Sequence, residues 1–143
     1  MKPAPAGWPR CSSAVFYDDA TAAIAFLERA FGFETRLLVE GEGGRVEHSE
    51  LVFGDAVVMV GSTGLLPWTA SPRGQAGRCT QALFLYVDDV EAHAARAAAA
   101  GAEVVVPLAD HDYGEGYWHD RTYQAVDLEG HRWWFATRVR TYT

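Results

Sequence analysis

The chain is expected to fold as an α+β protein built from two tandem βαβββ modules, and three observations carry that expectation. Asp18-Asp19 to Gly32 and Asp88-Asp89 to Gly101 share one layout: an acidic pair, a run with helical apolar spacing, and a closing glycine. Glu34 and Glu103 each follow two residues behind that glycine. The two stretches are offset by 70 residues, too long for a solenoid unit and suited to a duplicated half-domain.

Taken in order, residues 1–10 hold three prolines and a glycine and read as an extended arm, poorly ordered unless it docks. Ser12 to Tyr17 turns apolar and is the first strand. Asp18-Asp19 then caps a helix whose inner face is Ala20, Ile24, Leu27 and Phe31, and Gly32 ends it. Glu34 to Glu40, Val46 to Phe53 and Ala56 to Val60 follow as strands, separated by the glycine-rich turn Gly41 to Gly44 and by Gly54-Asp55. Module 1 therefore covers about residues 11–61. Residues 62–78 form a linker rich in Gly, Pro, Ser and Thr. Within it Leu65, Leu66 and Trp68 suggest a loop that packs against or covers something.

Module 2, about residues 79–138, repeats the pattern. Leu83 to Val87 is its first strand, and Asp88-Asp89 opens its helix, with Glu91 three residues after Asp88 in capping-box spacing. Val104 to Pro107, Arg121 to Val126 and Arg132 to Thr137 are its remaining strands, with a polar-aromatic loop expected over Asp110 to His119. Asp127-Leu128-Glu129-Gly130 is a tight-turn signal, and the aromatic run behind it makes the second arm of a hairpin. Adjacent residues on a strand face opposite ways, so Trp133 and Trp134 must part: one enters the core and the other lines a second surface.

Composition narrows the function. With 143 residues, 49% of them hydrophobic, the chain can bury a sizeable core as one domain. Its net charge of −7 repels phosphate backbones, which argues against nucleic acid, and weakly favours cationic small molecules. Only Cys11 and Cys79 occur, so no disulfide framework is expected and a reducing cytoplasm is the default. No run approaches the roughly 18 apolar residues of a membrane span. Ser-His-Asp, Cys-His, phosphate-loop and zinc-finger arrangements are all missing from the sequence.

Phe16-Tyr17-Asp18-Asp19, the Ala23–Phe33 run, Gly54-Asp55, Tyr86-Val87-Asp88-Asp89-Val90, Ala100-Gly101-Ala102 and Asp127-Leu128-Glu129-Gly130-His131 stand in matching order in the two halves. In that order they resemble the vicinal oxygen chelate superfamily, which groups glyoxalases, bleomycin resistance proteins and dioxygenases. The resemblance spans about Ser12 to Thr137. It implies a curved sheet around a cleft, helices on the convex side, and frequently a homodimer. It also implies, for catalytic members, a divalent metal held by His, Gln or Glu near the start of each module's first strand and by Glu on each last strand. The matching positions here are Ser12, Ala82 or Thr80, Val58 or Met59, and Trp134. Hard or borderline cations need oxygen and nitrogen lone pairs, which this set does not supply, so no metal and no other cofactor is expected. His48 and Glu50 share a strand face but make an incomplete ligand set, and His111, Asp112, His119 and Asp120 read as loop chemistry.

What remains is a binding cleft. The aliphatic set Leu83, Leu85 and Val87 belongs under the helix, which turns Ala82, Phe84 and Tyr86 toward the cleft. His48, Phe84, Tyr86, Trp118, Tyr123 and Trp134 are the expected ligand-binding residues, suited to planar or cationic partners through stacking and cation–π contact. The expected function is metal-independent binding of a small aromatic or cationic natural product, in the manner of the metal-free bleomycin-resistance branch, by a homodimer. The alternative is a lyase or isomerase acting through a non-standard site that includes His48.

Overall fold

The structure, a computed structural model, describes residues 1–142. It contains two four-stranded sheets with the same internal order. In module 1, strands β1 (Ser13–Tyr17), β2 (Glu34–Glu40), β3 (Val46–Phe53) and β4 (Ala56–Ser62) are arranged β1-β4-β3-β2. In module 2, β5 (Ala82–Tyr86), β6 (Glu103–Asp112), β7 (Trp118–Val126) and β8 (Arg132–Thr141) are arranged β5-β8-β7-β6. The first and last strands of each module pair in parallel, and the other pairs are antiparallel. The 70-residue offset read from the sequence is thus a duplication of a βαβββ unit.

Each module's helix starts on its second aspartate. Asp19 caps α1 (Ala20–Phe26) by accepting from the Ala22 N–H at 3.0 Å, and Asp89 caps α2 (Val90–Ala99) by accepting from the Ala92 N–H at 3.0 Å. The expected capping box is not formed, because the cap is Asp89 rather than Asp88, which puts Ala92 and not Glu91 at the third helical position. Glu91 instead meets Arg121, whose Nε lies 2.9 Å from its carboxylate. α1 widens into a π turn over Leu27–Phe31 before Gly32 closes it at φ 84°. The extra residue per turn lets the neighbouring pairs Phe26–Leu27 and Ala30–Phe31 all reach the core. Arg96 of α2 donates from Nε to the Arg29 carbonyl and from Nη2 to the Glu28 carbonyl, both at 3.0 Å, satisfying the end of the module 1 helix.

The inner faces of both sheets and both helices share one core. Phe31 and Phe33, just after α1, pack their rings on Trp133 of β8 at centroid distances of 5.6 Å, and Phe31 also meets Phe135 at 4.8 Å. The helix-facing sides of both sheets therefore contribute to one core, and the opposite, concave side of each faces away from it. Trp133 is fully buried while Trp134 lies on the concave side, which is the parting that adjacent strand residues require.

A second tie joins the modules at the Asp127–Gly130 turn. Asp127 Oδ1 accepts from the N–H groups of Glu129, Gly130 and His131, each at 3.1 Å, and Gly130 adopts φ 100°. Asp127 Oδ2 accepts from Tyr17 and from Trp133 Nε1, and Glu129 accepts from the backbone N–H groups of Asp18 and Asp19 at 2.7 and 2.8 Å. The N-terminal arm also docks: Trp8 lies under the Arg36 guanidinium at 4.8 Å, and Arg36 donates to the Gly7 carbonyl.

The segment expected as a loop over Asp110 to His119 is mostly strand. β6 and β7 continue as a ribbon through the pairs Asp110–Arg121, His111–Asp120 and Asp112–His119, leaving only Tyr113 to Tyr117 as its tip. Pro107 is tolerated because it falls where the register shifts between Val106 and Ala109.

Candidate functional site

The concave face of the module 2 sheet gathers aromatic side chains from three strands. Register places Phe84 beside Trp134 and Tyr86 beside Ala136, so alternate residues of β5 and β8 share this face. Phe84 and Tyr86 touch edge to face at a centroid distance of 5.4 Å. They are 53% and 50% exposed, open surface that the core does not use. Trp134 is partly buried in the same row.

A charged cluster closes one end of the row. Asp120 of β7 is only 3% exposed, and it accepts from the Tyr86 hydroxyl at 2.8 Å and from Arg138 Nε. Arg138 also donates to the Tyr86 hydroxyl. Its guanidinium stacks over the Tyr86 ring at 5.1 Å and over the Trp118 ring at 4.9 Å. Burial first, and the Asp120 carboxylate second, push the Tyr86 phenol above its ordinary range. The same carboxylate holds Arg138 firmly protonated. Deeper in the face, Gln124 accepts from Arg132 Nη1 at 2.9 Å, and among the described residues the buried Thr122 hydroxyl has no hydrogen-bond partner.

Four of the six expected residues, Phe84, Tyr86, Trp118 and Trp134, therefore come together. Tyr123 does not join them. It is fully buried on the opposite side of β7, stacked on Phe135 at 5.4 Å and bonded to His93 Nδ1 at 2.7 Å. Strand alternation sends Thr122 and Gln124 to the concave face and Tyr123 to the core. His48 belongs to the other sheet. Its Nε2 lies 3.4 Å from Glu50 Oε1, while Glu50 is engaged by Arg36 Nε at 2.5 Å. The Arg36 hydrogen bond is the main reason the Glu50 carboxyl sits below its usual range.

By sequence alone, Asp120 groups with His111, Asp112 and His119 as loop chemistry and Arg138 has no role, since Arg138 lies one residue past the expected end of the last strand. The period-two row Arg132, Trp134, Ala136, Arg138 was the available signal for Arg138.

A divalent metal does not fit the positions that metal-bearing relatives would use. On the concave faces of β1, β4, β5 and β8 stand Ala14, Met59, Ala82 and Trp134, while Val58 turns into the core. Ser12 adds one buried hydroxyl that has no hydrogen-bond partner among the described residues, a single oxygen where a cation needs several. Among the described residues, no three His, Cys, Asp or Glu side chains converge. Among the described residues, no helix is long and apolar enough to cross a membrane.

This architecture matches known proteins along most of its length. An uncharacterized protein of Mycobacterium bovis is 31% identical over 140 residues, covering 92% of this chain and 85% of that protein. The crystal structure of TioX from Micromonospora sp. ML1 is 35% identical, covers 94% of this chain and 100% of its own, and superposes with a TM-score of 0.69. A glyoxalase/bleomycin resistance protein/dioxygenase from Alicyclobacillus acidocaldarius, 12% identical and covered to 96% on both sides, shares the fold at a TM-score of 0.63. The family model of the Glyoxalase/Bleomycin resistance protein/Dioxygenase superfamily matches residues 11–135, so the chain belongs to that superfamily.

Proposed function

We propose that this protein is a metal-independent small-molecule binding protein that sequesters a planar aromatic compound on the concave face of its second sheet, in the manner of a resistance protein. The observation that carries the reading is the aromatic row Phe84, Tyr86 and Trp134, open to solvent and closed at one end by Arg138. Such rings offer flat contact area at low entropic cost.

The cluster also favours one ligand class. A cation would seek the faces of Tyr86 and Trp118 and the Asp120 carboxylate, and Arg138 already occupies all three. A neutral planar ligand needs only the row beside it. This narrows the expected aromatic or cationic partner to an aromatic one.

A homodimer is part of the proposal. The row faces outward from its own chain, and a second copy would supply the opposing wall and enclose a ligand to the extent small-molecule sites usually require. With both cysteines free, we place the protein in a reducing cytoplasm. The test is calorimetric titration with acridine, neutral at pH 8, before and after EDTA treatment. Saturable binding unchanged by EDTA is the expected result; absence of binding, or binding lost on chelation, would count against the proposal.

A further inference from the structure

A cavity of about 670 Å³ lies beside the loop that joins the modules, away from the aromatic row of the second sheet. Its size falls in the range of roughly 300–1,000 Å³ common for small-molecule sites. Phe16 of β1 and Trp68 of the loop form its aromatic wall. Arg78, Thr80 and Gln81, on the approach to β5, and His131, just before β8, supply its polar groups.

The aromatic wall is incomplete. Trp68 meets Phe16 edge to face, with centroids 5.2 Å apart and planes at 85°, yet it remains 70% exposed. A tryptophan anchored by a single T-shaped contact and otherwise bare offers a stacking surface.

The polar groups give that surface a sign. Acidic residues outnumber basic ones 19 to 12 along the chain, but no Asp or Glu lines this cavity. Glu129, in the turn before His131, is spent elsewhere. Its carboxylate takes the Asp18 and Asp19 N–H groups, the Ser71 hydroxyl at 2.5 Å, and Arg73 at 3.6 Å. Among the described residues Arg78 has no carboxylate within 4.0 Å, while its backbone N–H is fixed to the Gln75 carbonyl at 3.1 Å. His131 donates from Nε2 to the Phe16 carbonyl at 2.7 Å, which sets the ring and leaves Nδ1 without a protein partner. An arginine without a carboxylate partner and an exposed indole lining the same cavity, with no acid among its walls, suit a flat anion.

We propose that this cavity is a second ligand site, selective for an aromatic carboxylate whose ring lies against Trp68 and whose carboxylate pairs with Arg78. The site does not depend on the reading of the concave face. It also gives the loop over residues 62–78 a task, as one wall of a pocket.

The experiment is calorimetric titration of the full chain with 2-naphthoate and with its neutral counterpart 2-naphthamide. The acid should bind saturably and at least about tenfold more tightly than the amide, the factor expected of a charge-assisted pair. Arg78→Gln should erase that difference, and Trp68→Ala should weaken both compounds. Trp134→Glu, which removes the aromatic row of the other sheet as a competing site, should leave the preference for acid over amide intact. No saturable binding of 2-naphthoate, or equal affinity for acid and amide, would overturn the site. So would naphthoate affinity that survives Arg78→Gln but is lost in Trp134→Glu; that result would move the acid to the concave face and leave the proposed function standing.

Discussion

The Tyr17 hydroxyl donates to the Asp127 carboxylate at 2.6 Å, joining the first strand of module 1 to the last turn of module 2 across 110 residues. The same carboxylate holds Trp133 Nε1 at 2.9 Å and three turn N–H groups at 3.1 Å. One buried acid thus sets the turn, the core tryptophan and the contact between modules. Asp127→Ala strands all of these donors and should cost about 3 kcal/mol or more, whereas Tyr17→Phe removes one of several and should cost about 1 kcal/mol. Urea denaturation at fixed protein concentration would check the order; a Tyr17→Phe loss equal to that of Asp127→Ala would show that the acid has no wider role.

The His93 ring bridges the modules in its neutral form. The Phe31 carbonyl can only accept, so Nε2 carries the proton at 2.9 Å and Nδ1 accepts from Tyr123. Burial lowers the His93 pKa from its ordinary value of 6.5. Between that lowered value and 6.5 the unfolded chain binds more protons than the folded one, so stability falls as pH drops below about 6.5. His93→Gln should show a shallower loss from pH 7.5 to 5 than the parent protein. Equal slopes in the two proteins would remove His93 as the source.

Arg138 selects against cations by occupying the Tyr86 and Trp118 faces itself. N-methylacridinium, the cationic counterpart of acridine, should bind the parent protein more weakly than acridine does. Arg138→Met should reverse that preference, because Asp120 and both rings are then free for a ligand cation. An unchanged preference, measured by calorimetry at pH 8, would show that the guanidinium does not guard the row.

If a second copy completes the cleft, sedimentation equilibrium should give twice the 15.7 kDa chain mass. A monomer at micromolar concentration would leave the aromatic row unenclosed and contradict that part of the proposal.

The fold was legible because its signals are periodic and occur twice. The acidic caps, the closing glycines and the alternation along Ala82–Tyr86 each carry a physical constraint that sequence displays directly. The π turn at Leu27–Phe31 was hidden, since two adjacent buried pairs can be read as ordinary helix with a wide apolar face. The β6–β7 ribbon was hidden for another reason: its pairs join polar residues such as His111 and Asp120, whose composition looks like a loop. Alternation put Phe84 and Tyr86 on one sheet face and parted Trp134 from Trp133, and it would have sent Tyr123 to the core had that residue been set against Thr122 and Gln124. The Asp120–Arg138 pair depends on register between β7 and β8, which a single strand's pattern does not reveal.

Trp134 stands beside Phe84 in the row, at the position where metal-bearing relatives would place a glutamate. The most direct test of the central claim is the acridine affinity of Trp134→Glu, measured by calorimetry against the parent protein at pH 8. Loss of at least about tenfold, with the melting transition retained, is the predicted result for an aromatic residue of a binding surface. Unchanged affinity in a folded variant would place the ligand elsewhere and contradict the proposed function.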